Sequence, residues 1–147
     1  MNYLIIFLLA LAPIAELRGA LPIAILKYNL AFWPSLIICV LGTFLAGALV
    51  LLLLNYLEIL IDKWAFSHDI KEKVFTYTRN KHADKFERLK EILVFILAAI
   101  PIPFVGGSYT AALIAYLFNA DKVKSLLFIF LGVVLQGVII AFSLKLI

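Results

Sequence analysis

The run LIICVLGTFLAGALVLLLL, Leu36–Leu54, contains no charged residue. An apolar stretch of about 18 residues or more reads as a membrane span. Leu126–Leu144, LLFIFLGVVLQGVIIAFSL, is a second such stretch, with Gln136 near its middle. The rest of the chain agrees with that reading. Of 147 residues, 65% are hydrophobic and 15% charged, whereas soluble domains are about half apolar and a quarter charged. So short a chain has no core large enough to hide that much apolar surface from water. The first 15 residues are apolar without a basic leading region, so they read as a retained segment rather than a cleaved signal. The net charge of +4 bears on membrane topology rather than on nucleic acid. Cys39 is the single cysteine, so no intramolecular disulfide is available.

Working outward from the two spans, the chain divides into residues 1–57, a charged segment 58–91, and residues 92–147. Sliding the sequence by 90 residues lays 1–57 on 91–147 without a gap. Ile6 falls on Ile96, Pro13 on Pro103, Asn29 on Asn119 and Ser35-Leu36 on Ser125-Leu126. Leu41-Gly42 falls on Leu131-Gly132, Leu45 on Leu135, Gly47 on Gly137 and Leu54 on Leu144. A Pro, an Asn, a Ser and two Gly therefore recur in register, as in an internal repeat. On this alignment Gly106 and Ser108 are the counterparts of Glu16 and Arg18.

Each half then has one plan: an apolar arm, a Pro-containing break, a second short arm, a polar turn and a long span. The arms are expected near 1–15 and 20–30, and near 90–102 and 109–118. At 1.5 Å per residue such arms reach about 16–22 Å, short of a ~30 Å hydrocarbon core. They fit half-helices that enter and return on one side. The predicted fold is an all-α integral membrane protein built as an inverted repeat. Re-entrant hairpin 1–30 precedes transmembrane helix 34–57, hairpin 92–118 precedes helix 123–147, and 58–91 is a partly helical linker. The linker carries Lys63, Lys71, Lys73, Arg79, Lys81, Lys85, Arg88 and Lys90, with Lys122 and Lys124 on the same side; Lys27 and Lys145 lie opposite. The positive-inside rule places 58–91 in the cytoplasm and both termini outside, in the cell's inner membrane. A rival arrangement has four full spans and both termini inside. In the linker, Asp84/Arg88 forms an i,i+4 pair and Phe86, Leu89 and Leu93 share a face suited to the headgroup layer. His68 and His82 lack partners at metal spacing and read as solvated.

Two constellations carry chemistry. The first is Pro13-Ile-Ala-Glu16-Leu-Arg18-Gly19-Ala-Leu-Pro22. Charges within an apolar segment are costly and mark a cavity or a pathway. Gly19 is expected to supply the turn. Pro22 is expected in the first turn of the next half-helix, where its missing N–H costs nothing. Arg18 can grip a phosphate or carboxylate with two hydrogen bonds, and Glu16 can load and release a proton. The bland alternative is a structural ion pair. The second constellation is Pro101-Ile-Pro103-Phe-Val-Gly106-Gly107-Ser108-Tyr109-Thr110. Its glycines allow a turn and a close backbone approach, Ser108 is expected to cap the following half-helix, and Tyr109 and Thr110 offer hydroxyls. The alternative here is a plain packing turn. Gln136 is expected to bond a broken-helix backbone group, with the substrate as the alternative partner. No cofactor or metal is expected, and no nucleophile–base pair or metal-binding cluster points to an enzyme.

Glu16-Leu-Arg18-Gly19-Ala-Leu-Pro22 resembles the E-x-R-G-x-x-P motif of the small multidrug export protein family, distant relatives of the DedA membrane-protein superfamily. Ile100-Pro101-Ile-Pro103, with Gly106 and Ala112-Leu113-Ile114-Ala115, resembles that family's P-x-P-G-T-G-A-W-T-G-A-L-x-A pattern. Phe104 and Val105 replace its Gly and Thr, and Tyr109 stands for its Trp. The resemblance implies a multipass inner-membrane protein with two re-entrant loops. Through the DedA relatives it implies proton-coupled transport or flipping of polyprenyl-phosphate lipids. The expected function is a secondary, proton-coupled transporter of a small molecule or an anionic lipid headgroup. A lipid flippase or scramblase, or a non-transporting envelope-integrity factor, are the alternatives. Membrane lipids, protons and a small-molecule or lipid-phosphate substrate are the expected partners. Six helical segments make a thin wall, so a homodimer is the expected assembly.

Overall fold

The computed structural model describes residues 2–61, 83–102 and 106–145. Every element in them is helical: α1 (Asn2–Leu11), α2 (Glu16–Pro22) continued by a π turn (Ile23–Lys27), α3 (Phe32–Ile61), α4 (Ala83–Ala99), α5 (Ser108–Leu117) and α6 (Lys122–Lys145). Phe32–Leu57 and Lys122–Leu144 are long and apolar enough to cross a membrane. Only 33% of the first span and 39% of the second is buried inside the chain. Their outward faces carry Ile37, Leu41, Leu45, Leu127, Leu131 and Val138, all exposed, a surface suited to lipid rather than water. Trp33 and Tyr56, also exposed, stand 23 residues apart on α3. That is about 35 Å of helix, the spacing expected of aromatic anchors at the two interfaces.

α1 and α5, at 10 residues each, are about 15 Å long, whereas α4, at 17 residues, is about 25 Å long and exceeds the arm expected near 90–102. α3 runs to Ile61 and α4 starts at Ala83, so helix extends past the borders drawn at 57/58 and 91/92. His68, His82, Pro103, Phe104 and Val105, and the Asp84, Phe86 and Arg88 side chains, lie outside the described residues.

Glycines set the helix contacts. A Cβ on Gly42 would lie 2.8 Å from the Ala10 Cβ and 3.1 Å from the Phe7 carbonyl oxygen; one on Gly132 would lie 2.5 Å from the Ala98 Cβ and 2.8 Å from the Phe95 oxygen. α1 thus lies in a notch of α3 and α4 in a notch of α6, as small residues permit. α4 and α6 run parallel, meeting at Glu91–Lys124 (3.2 Å), Phe95–Phe128 and Ala98–Gly132. α3 and α6 run antiparallel. Gly137 lies against Leu36 and Val40, the Phe44 ring meets the Phe130 ring edge-on, and Gly47 lies against Ile129.

Contacts of like kind in the two halves recur at spacings close to, but not always equal to, 90. Phe7 and Ala10 meet Gly42 as Phe95 and Ala98 meet Gly132, a spacing of 88 between the two sets. In the second arms Leu17, Ala20, Leu21 and Ala24 are buried at the spacing of Ser108, Ala111, Ala112 and Ala115, which is 91. Gly107 and Glu16, also 91 apart, both have positive φ, 123° and 41°. Asn29 and Asn119, at φ 50° and 48°, return to 90. The π turn in the first half holds one residue more than the turn that ends α5. The closing bonds show the extra residue: Ala120 N–H bonds to the Ala115 carbonyl (2.9 Å), whereas Leu30 N–H reaches back one residue further, to Ala24 (3.0 Å). Asn suits both turns because it tolerates the left-handed conformation that ends a helix.

Two local expectations also change. Gly19 sits inside α2, its N–H bonded to the Ala15 carbonyl at 2.7 Å, and the turn is made by residues 12–15. Pro22 ends α2 rather than starting a helix. It supplies no N–H and crowds the preceding turn, and the widened π turn follows directly.

Candidate functional site

Two broken helix ends meet beside the midpoint of α3. Gly47 is 15 residues after Phe32 and 14 before Ile61. A Cβ there would lie 2.9 Å from the Ser108 Cβ. The first residue of α5 is therefore set halfway along the span, and glycine lets the two backbones close.

A helix end at that depth must find partners for its orphan backbone groups, and here they come largely from elsewhere in the fold. The last carbonyls of α1 are taken by the Thr43 hydroxyl from α3, on Ala10 (3.3 Å), and by the Tyr109 hydroxyl from α5, on Leu11. The Leu97 carbonyl of α4 accepts from Gly107 N–H at 2.8 Å. Arg18 Nη1 donates to the carbonyls of Ile102 (2.5 Å) and Gly106 (3.3 Å). Each break is thus closed by a side chain from the other half.

Glu16 lies between them, 1% exposed, the one buried charged residue among the described residues. Its Oε1 accepts from the Ser108 hydroxyl at 3.1 Å and from Tyr109 N–H at 3.5 Å. The carboxylate therefore sits at the N-terminus of α5, where free N–H groups and the helix dipole favour negative charge. Ser108 gives α5 no side-chain cap; Gly107 holds the cap position, and the Ser108 hydroxyl is directed to Glu16 instead. A Cβ on Gly107 would collide with the Glu16 carboxylate. Oε2 has no hydrogen-bond partner among the described residues; Arg18 Nη2 is 3.6 Å away. The Arg18 side chain is 14% exposed.

A cleft of about 280 Å³ opens beside the pair, lined by Pro13, Ile14, Glu16, Arg18, Gly106, Tyr109 and Thr110. The two expected constellations are therefore brought together at one place. Gly107 and Ser108 touch Glu16 from behind. Gly19, Pro22, Pro101 and Gln136 do not line the cleft, and Pro103 lies outside the described residues. Gln136 is fully buried but bonds no backbone group among the described residues, against the expectation. Pro13 and Ile14 were missed, although both belong to the quoted first constellation; Ile14, 81% exposed, forms the rim. Thr43 was also missed. Its only signal is a hydroxyl next to Gly42 in an apolar span, and polar side chains in such spans commonly bond broken backbone.

No curated protein and no solved structure matches the chain. The family described as "Putative small multi-drug export protein" matches residues 16–139. The matched part begins at Glu16 and takes in the whole cleft except Pro13 and Ile14. The description is of an export protein, a membrane transporter rather than an enzyme, and it agrees with the two apolar spans. With 124 of its 147 residues inside that match, the chain belongs to the small multi-drug export protein family.

Proposed function

We propose that the protein is a secondary, proton-coupled transporter that carries a small molecule or an anionic headgroup through the cleft beside Glu16 and Arg18. The observation that carries this is a buried carboxylate and a nearly buried guanidinium held at the midpoint of a span by two broken helices. Intramembrane charge is costly and marks a pathway, and discontinuous helices meeting at mid-depth are a device of secondary transporters.

The fold on this reading is an inverted repeat, 1–57 and 92–147, of a re-entrant hairpin and a span. Three features support it: the roughly 15 Å length of α1 and α5, the parallel packing of α4 on α6, and the antiparallel packing of α3 on α6. Arms this short favour re-entry over four full spans. The charged segment 58–91 is then cytoplasmic in the inner membrane with both termini outside, and a homodimer shields the outer faces of the hairpins.

The test is proteoliposome flux under an imposed pH gradient, comparing wild type with Glu16→Gln and Arg18→Lys. Both substitutions are expected to cut flux by tenfold or more, as for groups acting directly on ligand or proton. Wild-type flux in both variants would sink the reading. A second reading, lipid flipping, is favoured by Ile14. An exposed apolar residue on the rim allows a headgroup to enter while its chains stay in lipid. Dithionite quenching of labelled lipid in the same vesicles separates the two.

A further inference from the structure

Arg18 and Glu16 are poorly arranged for a structural ion pair. The closest approach is 3.6 Å, and the Arg18 hydrogen bonds go to the Ile102 and Gly106 carbonyls. A charge-assisted N–H···O bond is about 2.7–2.9 Å. One oxygen of Glu16 takes both Ser108 and Tyr109 N–H, and the other takes none. The donors around this carboxylate are a hydroxyl, the N-terminus of a ten-residue helix and a guanidinium edge. That set is the one that holds a phosphate.

We propose that the Glu16 carboxylate is an internal stand-in for the ligand's oxyanion. A phosphate monoester takes its place on Ser108, Tyr109 N–H and Arg18 when Glu16 accepts a proton, so anion and proton enter the site together. The reason is charge balance. Arg18 supplies a fixed positive charge. With Glu16 ionised, the buried site is neutral and its anion seat is filled. With Glu16 protonated, the seat is vacated and an uncompensated positive charge remains in a low-dielectric setting, a costly state that an entering anion relieves. The charged and titratable groups facing Glu16 are Arg18 from its own helix and Tyr109 from α5. α1 offers carbonyls already bonded by Thr43 and Tyr109, α4 the Leu97 carbonyl already bonded by Gly107, and the break after α4 carbonyls already bonded by Arg18. α3 and α6 bring Thr43, Cys39 and Gln136 to the core, but no charged group. The cleft beside the pair has room for a ligand. The exchange rests on the transporter reading for its purpose, since a carrier needs its coupling proton and its cargo to share a site.

The test is calorimetric titration of the full chain in phosphatidylcholine nanodiscs with two probes, inorganic phosphate and dihexanoyl phosphatidic acid. Each titration is run in two buffers of different ionisation enthalpy, at acidic and alkaline pH. Wild type is expected to take up one proton more per anion bound than Glu16→Gln does on the alkaline side. Its affinity should there fall about tenfold per pH unit more steeply than that of the variant. The probe's own ionisation is common to both proteins and cancels. Glu16→Gln is expected to bind more tightly than wild type at alkaline pH. Binding of phosphate alone identifies a free-ion site, and binding of the lipid monoester alone or more tightly identifies a headgroup site; either outcome upholds the exchange when the proton is taken up. Equal proton uptake and equal pH slopes in the two proteins, or no binding of either probe, would overturn it. The wild-type proton count needs no variant to fold. Proton-linked binding without vesicle flux would remove the transporter reading alone. Flux without proton uptake on binding would remove the exchange alone.

Discussion

Gly107 occupies a place no other residue fills. Its φ is 123°, a region left almost wholly to glycine, and a Cβ would run into the Glu16 carboxylate. Gly107→Ala is expected to cost about 1–3 kcal/mol in backbone strain alone and to displace Glu16 as well. Thermal melting in detergent should fall clearly below wild type, and an unchanged melt would show that the carboxylate is not seated as described. Glu16 and Arg18 make a second test at this scale. Removing Glu16 leaves the partly buried Arg18 guanidinium without the charge that balances it, at a cost below the ~3–5 kcal/mol of a well-formed buried pair. Glu16→Ala is therefore expected to destabilise more than the double change Glu16→Ala/Arg18→Met does. A double variant less stable than the single would mean that the guanidinium's bonds to Ile102 and Gly106 outweigh its charge.

At the scale of elements, the contacts that matter are glycine notches and one widened turn. The Gly132 Cβ position is 2.5 Å from Ala98 Cβ, with a helix rather than a flexible tip in the way. Overpacking a fitted contact costs about 1–3 kcal/mol. Gly132→Val is expected to lower the melting temperature, and the matching Gly42→Val to act in the same direction through α1. The π turn makes a different prediction. It holds one residue more than the end of α5 does, between buried Ala24 and the left-handed Asn29. Deleting exposed Leu26 lets the turn relax to α-helical pairing with both flanks in place. The deletion should leave size-exclusion behaviour and melting near wild type, whereas deleting buried Leu21, inside α2, should abolish folding. Equal damage from both would refute the one-residue insertion.

For the whole molecule, the testable property is sidedness. Cys39 is buried, so an introduced cysteine is the one that an impermeant thiol reagent meets. In intact cells, Asn2→Cys is expected to label and Lys122→Cys to label after permeabilisation; protected Asn2→Cys would favour the arrangement with four full spans. The amino-acid sequence by itself determined the membrane class, two spans, two breaks rich in Pro and Gly, and the presence of Glu16 and Arg18 at the first of them. Hydropathy, proline and glycine act within a few residues, so such features are legible one segment at a time. Tertiary structure alone decided what lies against what. Arg18 reaches the carbonyls of the second break, Tyr109 reaches the end of α1, and Ser108 turns from capping its own helix to holding Glu16. The physical reason is that a backbone broken in an apolar medium must find partners for its orphan groups. Which side chain supplies them depends on helices packed some 90 residues away, a relation that no local pattern contains.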